Sequence, residues 1–298
     1  MPGSGGRINL GPELSADIHT HAMNSWDQLT HALESGEVDG AFINTPLAMD
    51  LFDAGLDISL LMFTHRGGSQ MLANPQVSRM SEFSGKSILI PHPVSIQHML
   101  MHQFLGAKGM VLGSDARSCG VLAEPVPPGL MPEMMAQDHD GDIAACMTAE
   151  PFATLAADGA SGRRLLSSQD LWQDHPCCGF VARESLVEPY YEEFDALVRL
   201  FVESATTLDR HITGEQQIDG ATLELAARFL DRPEDATARL LETSGVCYTP
   251  ELLIPEPGLL EIVQDYMSST MGVLAGTTDL DAFINPAFVQ NAVSEIYS

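Results

Sequence analysis

Short apolar runs alternate with amphipathic stretches along the first 180 positions, and this pattern predicts strands separated by helices. The predicted strands cover residues 17–23, 41–43, 58–63, 87–90, 121–126 and 142–147. The predicted helices cover residues 26–35, 46–54, 95–105, 132–138 and 151–157. Asn24 or Ser25 is suited to cap the helix 26–35, which Gly36 can end, and Ser95 is suited to cap the helix 95–105. Strands that alternate with helices are typical of α/β proteins with mainly parallel sheets.

The pattern changes at about residue 186, after which helical periodicity dominates. Segments 189–209, 219–230, 233–241 and 258–271 each carry apolar residues at helical spacing. The last third of the chain is therefore predicted to be mostly helical, and it contains no low-complexity segment.

One local arrangement occurs twice, in residues 36–48 and again in residues 141–152. Each copy has a glycine–acid turn, a short apolar strand, and then a polar or acidic residue just before proline. Asn44-Thr45 precede Pro46, and Glu150 precedes Pro151. The repetition predicts two similar α/β lobes that each present a strand end to a shared cleft. The repetition favours a ligand-binding protein over an enzyme.

Length and composition are compatible with two such lobes. The chain has 298 residues, 45% of them apolar, which is enough for a substantial core. No uninterrupted apolar run reaches the length of about 18 residues that a membrane span needs. Residues 1–6 lack the features of a signal peptide. The sequence thus predicts either a cytoplasmic protein or an exported one whose signal has been removed.

The strong negative charge limits the possible partners. The formal net charge is −27, and Lys86 and Lys108 are the only lysines. Such a chain is expected to repel nucleic-acid backbones and anionic membranes, so neither is a predicted partner. An anionic ligand would need donors supplied locally.

The five cysteines do not form a recognisable framework. Their number is odd, their spacing is irregular, and no Cys-x-x-Cys zinc pattern occurs. Cys146 lies in an apolar run and is predicted to be a buried packing residue. The adjacent Cys177 and Cys178 are expected to remain unpaired with each other, and buried packing is one interpretation of both.

A His-x-His pattern at His19 and His21 suggests a second kind of chemistry. Alternate residues of a strand share one face, and two imidazoles there suit a divalent metal ion. The first barrel strand of metal-dependent hydrolases carries such a His-x-His pattern. Such barrels need further ligands on later strands, and His65 and His92 do not recur at barrel spacing. A metal-dependent hydrolase is therefore a remote alternative, and no metal site is predicted.

Ligands of open α/β sheets bind at the carboxyl ends of strands, where free N–H groups of helix starts attract polar groups. Three places meet this condition: Asn44-Thr45 before Pro46, Ser95-Ile96-Gln97-His98 before its helix, and Thr148-Ala149-Glu150 before Pro151. The glycine-rich loop after residue 63 adds Ser69 as a donor, with His65 and Arg66 at its rim. Thr45 and Glu150 are also suitable as simple helix caps.

Several stretches together resemble the substrate-binding proteins of nitrate/sulfonate/taurine ABC importers, in particular the nitrate- and bicarbonate-binding branch. The stretches are residues 36–48, Thr64-His65-Arg66-Gly67-Gly68-Ser69, residues 85–91, residues 95–98, Ala149-Glu150-Pro151-Phe152, residues 171–178, and Tyr266-Met267 with Met271-Gly272 and Asp281-Ala282-Phe283. The resemblance covers roughly residues 25–290. It depends on the order and spacing of these motifs.

The resemblance implies a periplasmic-binding-protein-like α/β fold of type II, with two lobes and two crossings near residues 82–86 and 178–183. Lobe I would comprise residues 1–84 and 181–298, and lobe II residues 85–180. Members of the family begin with a strand and a long helix for which this sequence has no room, so lobe I is expected to be shortened. The implied function is a solute receptor that delivers a small ligand to an ABC permease, without catalysis or cofactor, outside the cytoplasm.

The resemblance also implies ligand contacts. Trp26 stands where nitrate-binding members have a pocket tryptophan, His98 where they have a contacting histidine, and Ala149 where they have a contacting glycine. Cys178 replaces the lysine that neutralises the anion in those members, so tight nitrate binding is not expected. An equally supported interpretation of Trp26 is a helix anchor in the core.

Two alternatives to a receptor share the same fold. One is an enzyme like the thiamine-pyrimidine synthase, which uses cysteines and a histidine in iron chemistry but carries a denser cysteine run than Cys177-Cys178. The other is a cytoplasmic ligand sensor or accessory subunit. The sequence does not identify the ligand.

Overall fold

Two β-sheets, each covered by helices, organise the protein. The computed structural model describes residues 7–9, 17–115, 120–159 and 161–296. The strands are β1 (Arg7–Asn9), β2 (Asp17–His19), β3 (Gly40–Asn44), β4 (Ile58–Gly67), β5 (Ser69–Ala73), β6 (Ser87–Ile90), β7 (Leu112–Gly113), β8 (Val121–Pro125), β9 (Ile143–Ala149), β10 (Arg163–Ser167), β11 (Pro176–Arg183) and β12 (Val246–Cys247).

The helices follow the predicted pattern closely. They are α1 (Trp26–Ser35), α2 (Thr45–Asp53), α3 (Ile96–Ala107), α4 (Met131–Gln137), α5 (Phe152–Asp158), α6 (Glu184–Val187), α7 (Tyr191–Ile212), α8 (Gly220–Leu230), α9 (Glu234–Thr243), α10 (Pro257–Asp265), α11 (Leu280–Phe283) and α12 (Ala287–Ile296). The predicted caps are confirmed: Ser25 Oγ accepts from Gln28 N, Ser95 Oγ accepts from His98 N, and Gly36 ends α1 with φ 76°. The helical character of the last third is also confirmed.

The six-stranded sheet has the order β10-β5-β9-β6-β8-β7, and the four-stranded sheet has the order β12-β4-β11-β3. Strands β1 and β2 form a separate two-stranded sheet. The expectation of mainly parallel sheets holds only for β6, β7, β8 and β9. Every neighbouring pair in the four-stranded sheet is antiparallel, because its central strand β11 returns from the other sheet instead of following a helical crossover.

The chain first passes between the sheets at Gly67 and Gly68, which join β4 to β5. Both glycines have left-handed backbone, with φ of 66° and 83°. A Cβ atom on Gly68 would lie 2.5 Å from Val246 Cγ2, so the passage is closely packed as well. The crossing predicted near residues 82–86 is therefore placed too late. Ser69–Ala73 lies in the six-stranded sheet, whereas the sequence pattern suggests only a loop there.

The return passage lies between β10 and β11. The proposed division into residues 1–84 with 181–298 and residues 85–180 stays a prediction. We use "four-stranded lobe" and "six-stranded lobe" below for the parts built on each sheet.

Each sheet is packed on both faces. In the four-stranded lobe, α7 and α12 cover one face through Val198, Val202 and Phe288. Helices α1 and α2 cover the other face through residues such as Leu33 and Leu47. In the six-stranded lobe, α3 packs on one face and α4 and α5 on the other. Across the described part of the chain, no helix combines the length and apolarity that a membrane crossing requires.

Candidate functional site

The starts of α2 and α3 face each other where the two lobes meet, and Asn44 links them. Asn44 ends β3 at the N-cap position of α2, yet its side chain makes no cap hydrogen bond to that helix. Its Nδ2 instead donates to Gln97 Oε1 at 3.0 Å, and its Oδ1 accepts from the backbone N of Ile96 at 3.3 Å. The Asn44 side chain is fully buried. It therefore fixes the position of α3 relative to the strand end of the other lobe.

Gln97 extends this connection to the two crossings. Its Nε2 donates to Ser69 Oγ at 3.0 Å and lies 3.6 Å from Cys177 Sγ. Ser69 is the first residue after the glycine pair, and Cys177 lies near the start of β11. Asn44, Gln97, Ser69 and Cys177 are hereafter called the junction cluster. All four are at most 2% exposed, so the lobes are closed upon one another here.

Thr45 is the first residue of α2 and lies next to the junction cluster. It is fully buried, and no atom of the described residues forms a hydrogen bond with its Oγ1. The first-turn N–H groups of α2 also have no side-chain cap. A buried hydroxyl and an uncapped helix start together form a place where a polar ligand atom would replace missing hydrogen bonds.

His98 lies one residue beyond Gln97 and is 7% exposed. Its Nδ1 lies 2.7 Å from the Pro93 carbonyl oxygen, which can only accept, so Nδ1 carries the proton. Burial lowers the pKa of His98, and neighbouring His102 and His92 lower it further, against the opposing effect of the Pro93 hydrogen bond. His98 is therefore a neutral imidazole at neutral pH and supplies no positive charge.

The second predicted strand end, at β9, is arranged differently. Ala149 pairs with Ser69 across β9 and β5 and so lies beside the junction cluster. Glu150, by contrast, caps its own helix: its Oε2 accepts from Thr154 N at 2.9 Å, and its Oε1 lies 3.7 Å from the guanidinium of Arg164. Burial raises the pKa of Glu150 despite these contacts. Its side-chain contacts thus lie within the six-stranded lobe.

Trp26 and Arg66 are also engaged by the surrounding protein. Trp26 packs partly buried against the core between α1 and the four-stranded sheet, with its Nε1 buried and unbonded to any described residue. Arg66 is fully buried, whereas the sequence suggests a rim residue. Its guanidinium donates to the carbonyl oxygens of Leu252 and Asp174, and burial lowers its pKa to about 10. Its hydrogen bonds therefore go to the segment before β11 and the segment after β12, and its Nη2 is buried with no hydrogen-bond partner among the described residues.

Cys178 belongs to a group of sulfur and nitrogen donors. The two thiol sulfurs of Cys177 and Cys178 are 4.0 Å apart, and one ring nitrogen of His65 lies within 4.8 Å of both. We call these three residues the thiol–imidazole cluster. The hydrogen bond between the thiols lowers the pKa of Cys177 and raises that of Cys178. The fully buried His175 also interacts electrostatically with Cys177.

His19 and His21 do not form the strand face that the sequence suggests. Strand β2 ends at His19, so His21 lies beyond it, and both side chains are exposed. Their segment pairs with Arg7–Asn9 in the two-stranded sheet, and the larger sheets are open layers of six and four strands. The barrel architecture of a metal-dependent hydrolase is absent from the described residues, which corrects that alternative.

Comparison with known proteins identifies the family. The model of the NMT1-like family matches residues 13–219, which is more than half of the chain. The chain belongs to the NMT1-like family. No curated protein matches this NMT1-like chain.

Solved structures share the fold of this NMT1-like protein. A ligand-binding component of an ABC-type import system from Staphylococcus aureus, solved with zinc bound, has a TM-score of 0.76 at 20% identity, over 91% of this chain and 86% of that one. The periplasmic nitrate-binding protein of Synechocystis PCC 6803 has a TM-score of 0.71 at 16% identity, over 92% and 79%. The alkanesulfonate-binding protein of Xanthomonas axonopodis pv. citri, bound to MOPS, has 0.68 at 15%, over 89% and 86%. The predicted two-lobed, periplasmic-binding-protein-like α/β fold is confirmed.

Sequence reasoning assigned other roles to two residues of this NMT1-like site. It names Asn44 with Thr45 at a strand end, but it places His65 at the rim and interprets Cys177 as core packing. The predicted strand 58–63 ends before His65 and no strand is predicted over residues 176–183, so the pattern carries no signal that would bring these side chains together.

Proposed function

We propose that this protein is a solute-binding receptor of an ABC importer, which captures a small ligand between its two lobes. The support is the unsatisfied hydrogen-bonding capacity at Thr45, beside hydrogen bonds that join the lobes. Ligands of two-lobed binding proteins enter when the lobes separate and are enclosed when they close. In this proposal the permease is the protein partner, the site of action is outside the cytoplasm, and no catalytic step occurs.

The solute would contact Thr45, Ser69, Gln97, Ala149 and Cys178, with His98 and Trp26 at the edges of the site. Glu150 has a lesser role, because its Oε2 accepts from Thr154 N and its Oε1 lies 3.7 Å from the Arg164 guanidinium. Since Thr45, Ser69 and Gln97 are almost completely buried, the lobes must open before a solute reaches them. The closed arrangement also protects any bound solute from water.

The solute is proposed to be uncharged and polar, with a hydrogen-bond acceptor for Thr45 and the start of α2. The group at position 178 is a thiol, the histidine is neutral, and Arg66 donates to two carbonyl oxygens. A buried anion without a cation costs several kcal/mol, and a helix start offsets only about 1 kcal/mol of that. Nitrate is therefore a poor ligand in this proposal.

Calorimetry with nitrate, bicarbonate, taurine and a set of pyrimidines tests the ligand class. We expect no micromolar binding of nitrate. Micromolar nitrate binding that persists in Cys178→Ala would overturn the electrostatic argument, because the anion would then have a partner outside these residues.

A threonine variant tests the location of the site. Thr45→Val should weaken binding of the best solute by about tenfold, the effect of one lost hydrogen bond of about 1.4 kcal/mol. The matched control is Thr207→Val, which removes an exposed hydroxyl on α7 and should leave affinity unchanged. The receptor function is contradicted if neither these compounds nor fractionated small-molecule extracts raise the Tm of the wild-type protein.

A further inference from the structure

We propose that His65, Cys177 and Cys178 form a binding site for one thiophilic metal ion, with Zn²⁺ as the ion that best fits the donors. The inference goes beyond the receptor function, because it depends only on these side chains and holds whether or not a solute is transported. Two sulfurs and one imidazole nitrogen favour Zn²⁺ or Cu⁺ over the oxygen-preferring Mg²⁺ and Ca²⁺.

An irregularity in β11 makes the two neighbouring cysteines usable together. In a regular strand, adjacent side chains point to opposite faces. Here Pro176 pairs with Arg66 and Cys178 with His65, so Cys177 is an additional residue in β11 at a shift of register. Such bulges redirect side chains. The result is that both thiols lie 4.0 Å apart and face the same imidazole.

The separation of the two sulfurs suits tetrahedral coordination of a metal ion. Zn–S bonds of about 2.3 Å at tetrahedral angles place two sulfurs about 3.8 Å apart. The observed sulfur separation is 4.0 Å, and all three donor atoms lie within 4.8 Å of one another. The sulfurs would need to approach each other by only about 0.2 Å, whereas the imidazole nitrogen would need to approach them by up to about 1.3 Å, to the roughly 3.5 Å that Zn–S and Zn–N bonds require.

Thr64 orients the imidazole for this role. The Thr64 hydroxyl donates its hydrogen to the Cys178 carbonyl oxygen at 3.2 Å. Thr64 Oγ1 can therefore only accept from His65 Nδ1, which lies 3.1 Å away. Nδ1 thus carries the proton, and Nε2 is the unprotonated ring nitrogen that the proposal assigns to the metal ion. A hydrogen bond on the opposite ring nitrogen is the usual support of a metal-binding histidine.

Gln97 supports the sulfur side of the site. Its Nε2 lies 3.6 Å from Cys177 Sγ, where an N–H donor stabilises a thiolate. Because Gln97 also binds Asn44 and Ser69, an ion bound at Cys177 would act on the contacts that hold the lobes together. Three protein ligands leave a fourth position for water or another small molecule.

Cobalt titration tests the site directly. The full chain, freed of metal with a chelator under reducing conditions, is titrated with Co²⁺ in the absence of any solute and then with Zn²⁺. We expect one Co²⁺ per protein, sulfur-to-metal charge-transfer absorption in the near ultraviolet, and complete displacement by Zn²⁺. The acidic surface binds Co²⁺ through oxygen only and would give no such absorption.

Variants locate the ligands. We expect Zn²⁺ affinity to fall by about 100-fold or more in each of three ligand variants: Cys177→Ser, Cys178→Ser and His65→Gln. Thr64→Val changes a positioning residue, so Zn²⁺ affinity should fall by about tenfold and the charge-transfer band should remain. Cys247→Ser is the matched control, since Cys247 is another partly buried thiol outside the cluster.

Alkylation provides a test that needs no variant. Stoichiometric Zn²⁺ should protect Cys178 of the wild-type protein from a thiol reagent, as judged by peptide mass spectrometry. The proposal is overturned if the wild type shows no sulfur-to-cobalt band, or if the band survives in both cysteine variants. Solute binding is measured separately on the metal-free protein. If solute binds but no sulfur-to-cobalt band appears, the metal site is wrong and the receptor function stands, so the two proposals are distinguishable.

Discussion

Two strand ends that look alike in the sequence have different surroundings in the structure. After β3, the polar residue before proline lies between the lobes, where Asn44 binds Gln97 and Ile96 of the other lobe. After β9, Glu150 binds Thr154 and Arg164 of its own lobe. The same local pattern therefore produces a connection between lobes in one case and a helix cap in the other.

The difference teaches that a strand end is not by itself a ligand site. What distinguishes the two is the hydrogen bonding of the helix that follows. At α5, Glu150 accepts from one first-turn donor, Thr154 N, whereas at α2 no side chain accepts from the first turn and the Thr45 hydroxyl is unbonded to any described residue. A ligand gains most where the protein itself leaves donors unsatisfied.

The largest expected effect comes from removing the connection between the lobes. Asn44→Ala leaves Gln97 Oε1 and the Ile96 N–H buried without a partner, and each costs about 1–3 kcal/mol. We expect the free energy of unfolding, measured by urea denaturation, to fall by about 3 kcal/mol.

The control for that variant is Asn291→Ala, since Asn291 is exposed on α12. It should change the free energy of unfolding by less than about 0.5 kcal/mol. An equal, small effect of both substitutions would mean that the Asn44 contacts contribute nothing to closure, and the contrast between the strand ends would disappear.

A smaller effect is expected at the other strand end. Glu150→Gln keeps an oxygen acceptor for Thr154 N and removes a carboxyl whose pKa burial raises above its ordinary value of 4.5. Because the folded-state pKa is the higher one, the carboxyl's contribution to stability is full below pH 4.5 and is lost as pH rises through the folded-state value.

The glutamine variant should therefore be as stable as the wild type or up to about 1 kcal/mol more stable at neutral pH, with a smaller advantage below the ordinary pKa. Urea denaturation at the two pH values measures this. A loss of solute affinity in Glu150→Gln comparable to that of Thr45→Val would show that the two strand ends are functionally alike after all.

The smallest effect concerns His98, beside the junction cluster. Burial lowers its pKa below the ordinary 6.5, so the unfolded chain takes up a proton before the folded one as pH falls. The stability associated with His98 is full above 6.5 and declines with acidification through the folded-state pKa. His98→Asn keeps a donor for the Pro93 carbonyl. Between neutral pH and about pH 5.5, the variant should lose less of its free energy of unfolding than the wild type does, by less than about 1 kcal/mol. Since His92 and His102 also have lowered pKa values, part of the decline of the free energy of unfolding with falling pH should remain. A decline that is the same in the variant and the wild type would mean that the His98 side chain is exposed to solvent.

The sequence predicts the elements far better than it predicts their contacts. Helix α1 and strand β6 have the predicted limits, because caps and apolar periods are local properties. Strand β5 is missed, since five residues after two glycines carry too little pattern to distinguish a strand from a loop.

The site is predictable only in part, for a related reason. Thr45, Ser69 and Gln97 follow from the rule that polar residues at strand ends and helix starts meet in a cleft. The thiol–imidazole cluster does not, because regular alternation would separate Cys177 from Cys178 and only the shift of register in β11 brings them together. Which direction Asn44 or Glu150 faces depends on tertiary packing that no local pattern contains.

The position of β11 has a consequence for the order in which the protein can be assembled. All strands of the six-stranded sheet come from one continuous stretch, Ser69 to Ser167. In the other sheet, β3 and β4 are not neighbours, because β11 lies between them. A ribosome that synthesises the chain from its amino end thus completes the strands of the inserted lobe while β3 and β4 still lack the strand that joins them. The lobe that begins first is the one that must be finished last.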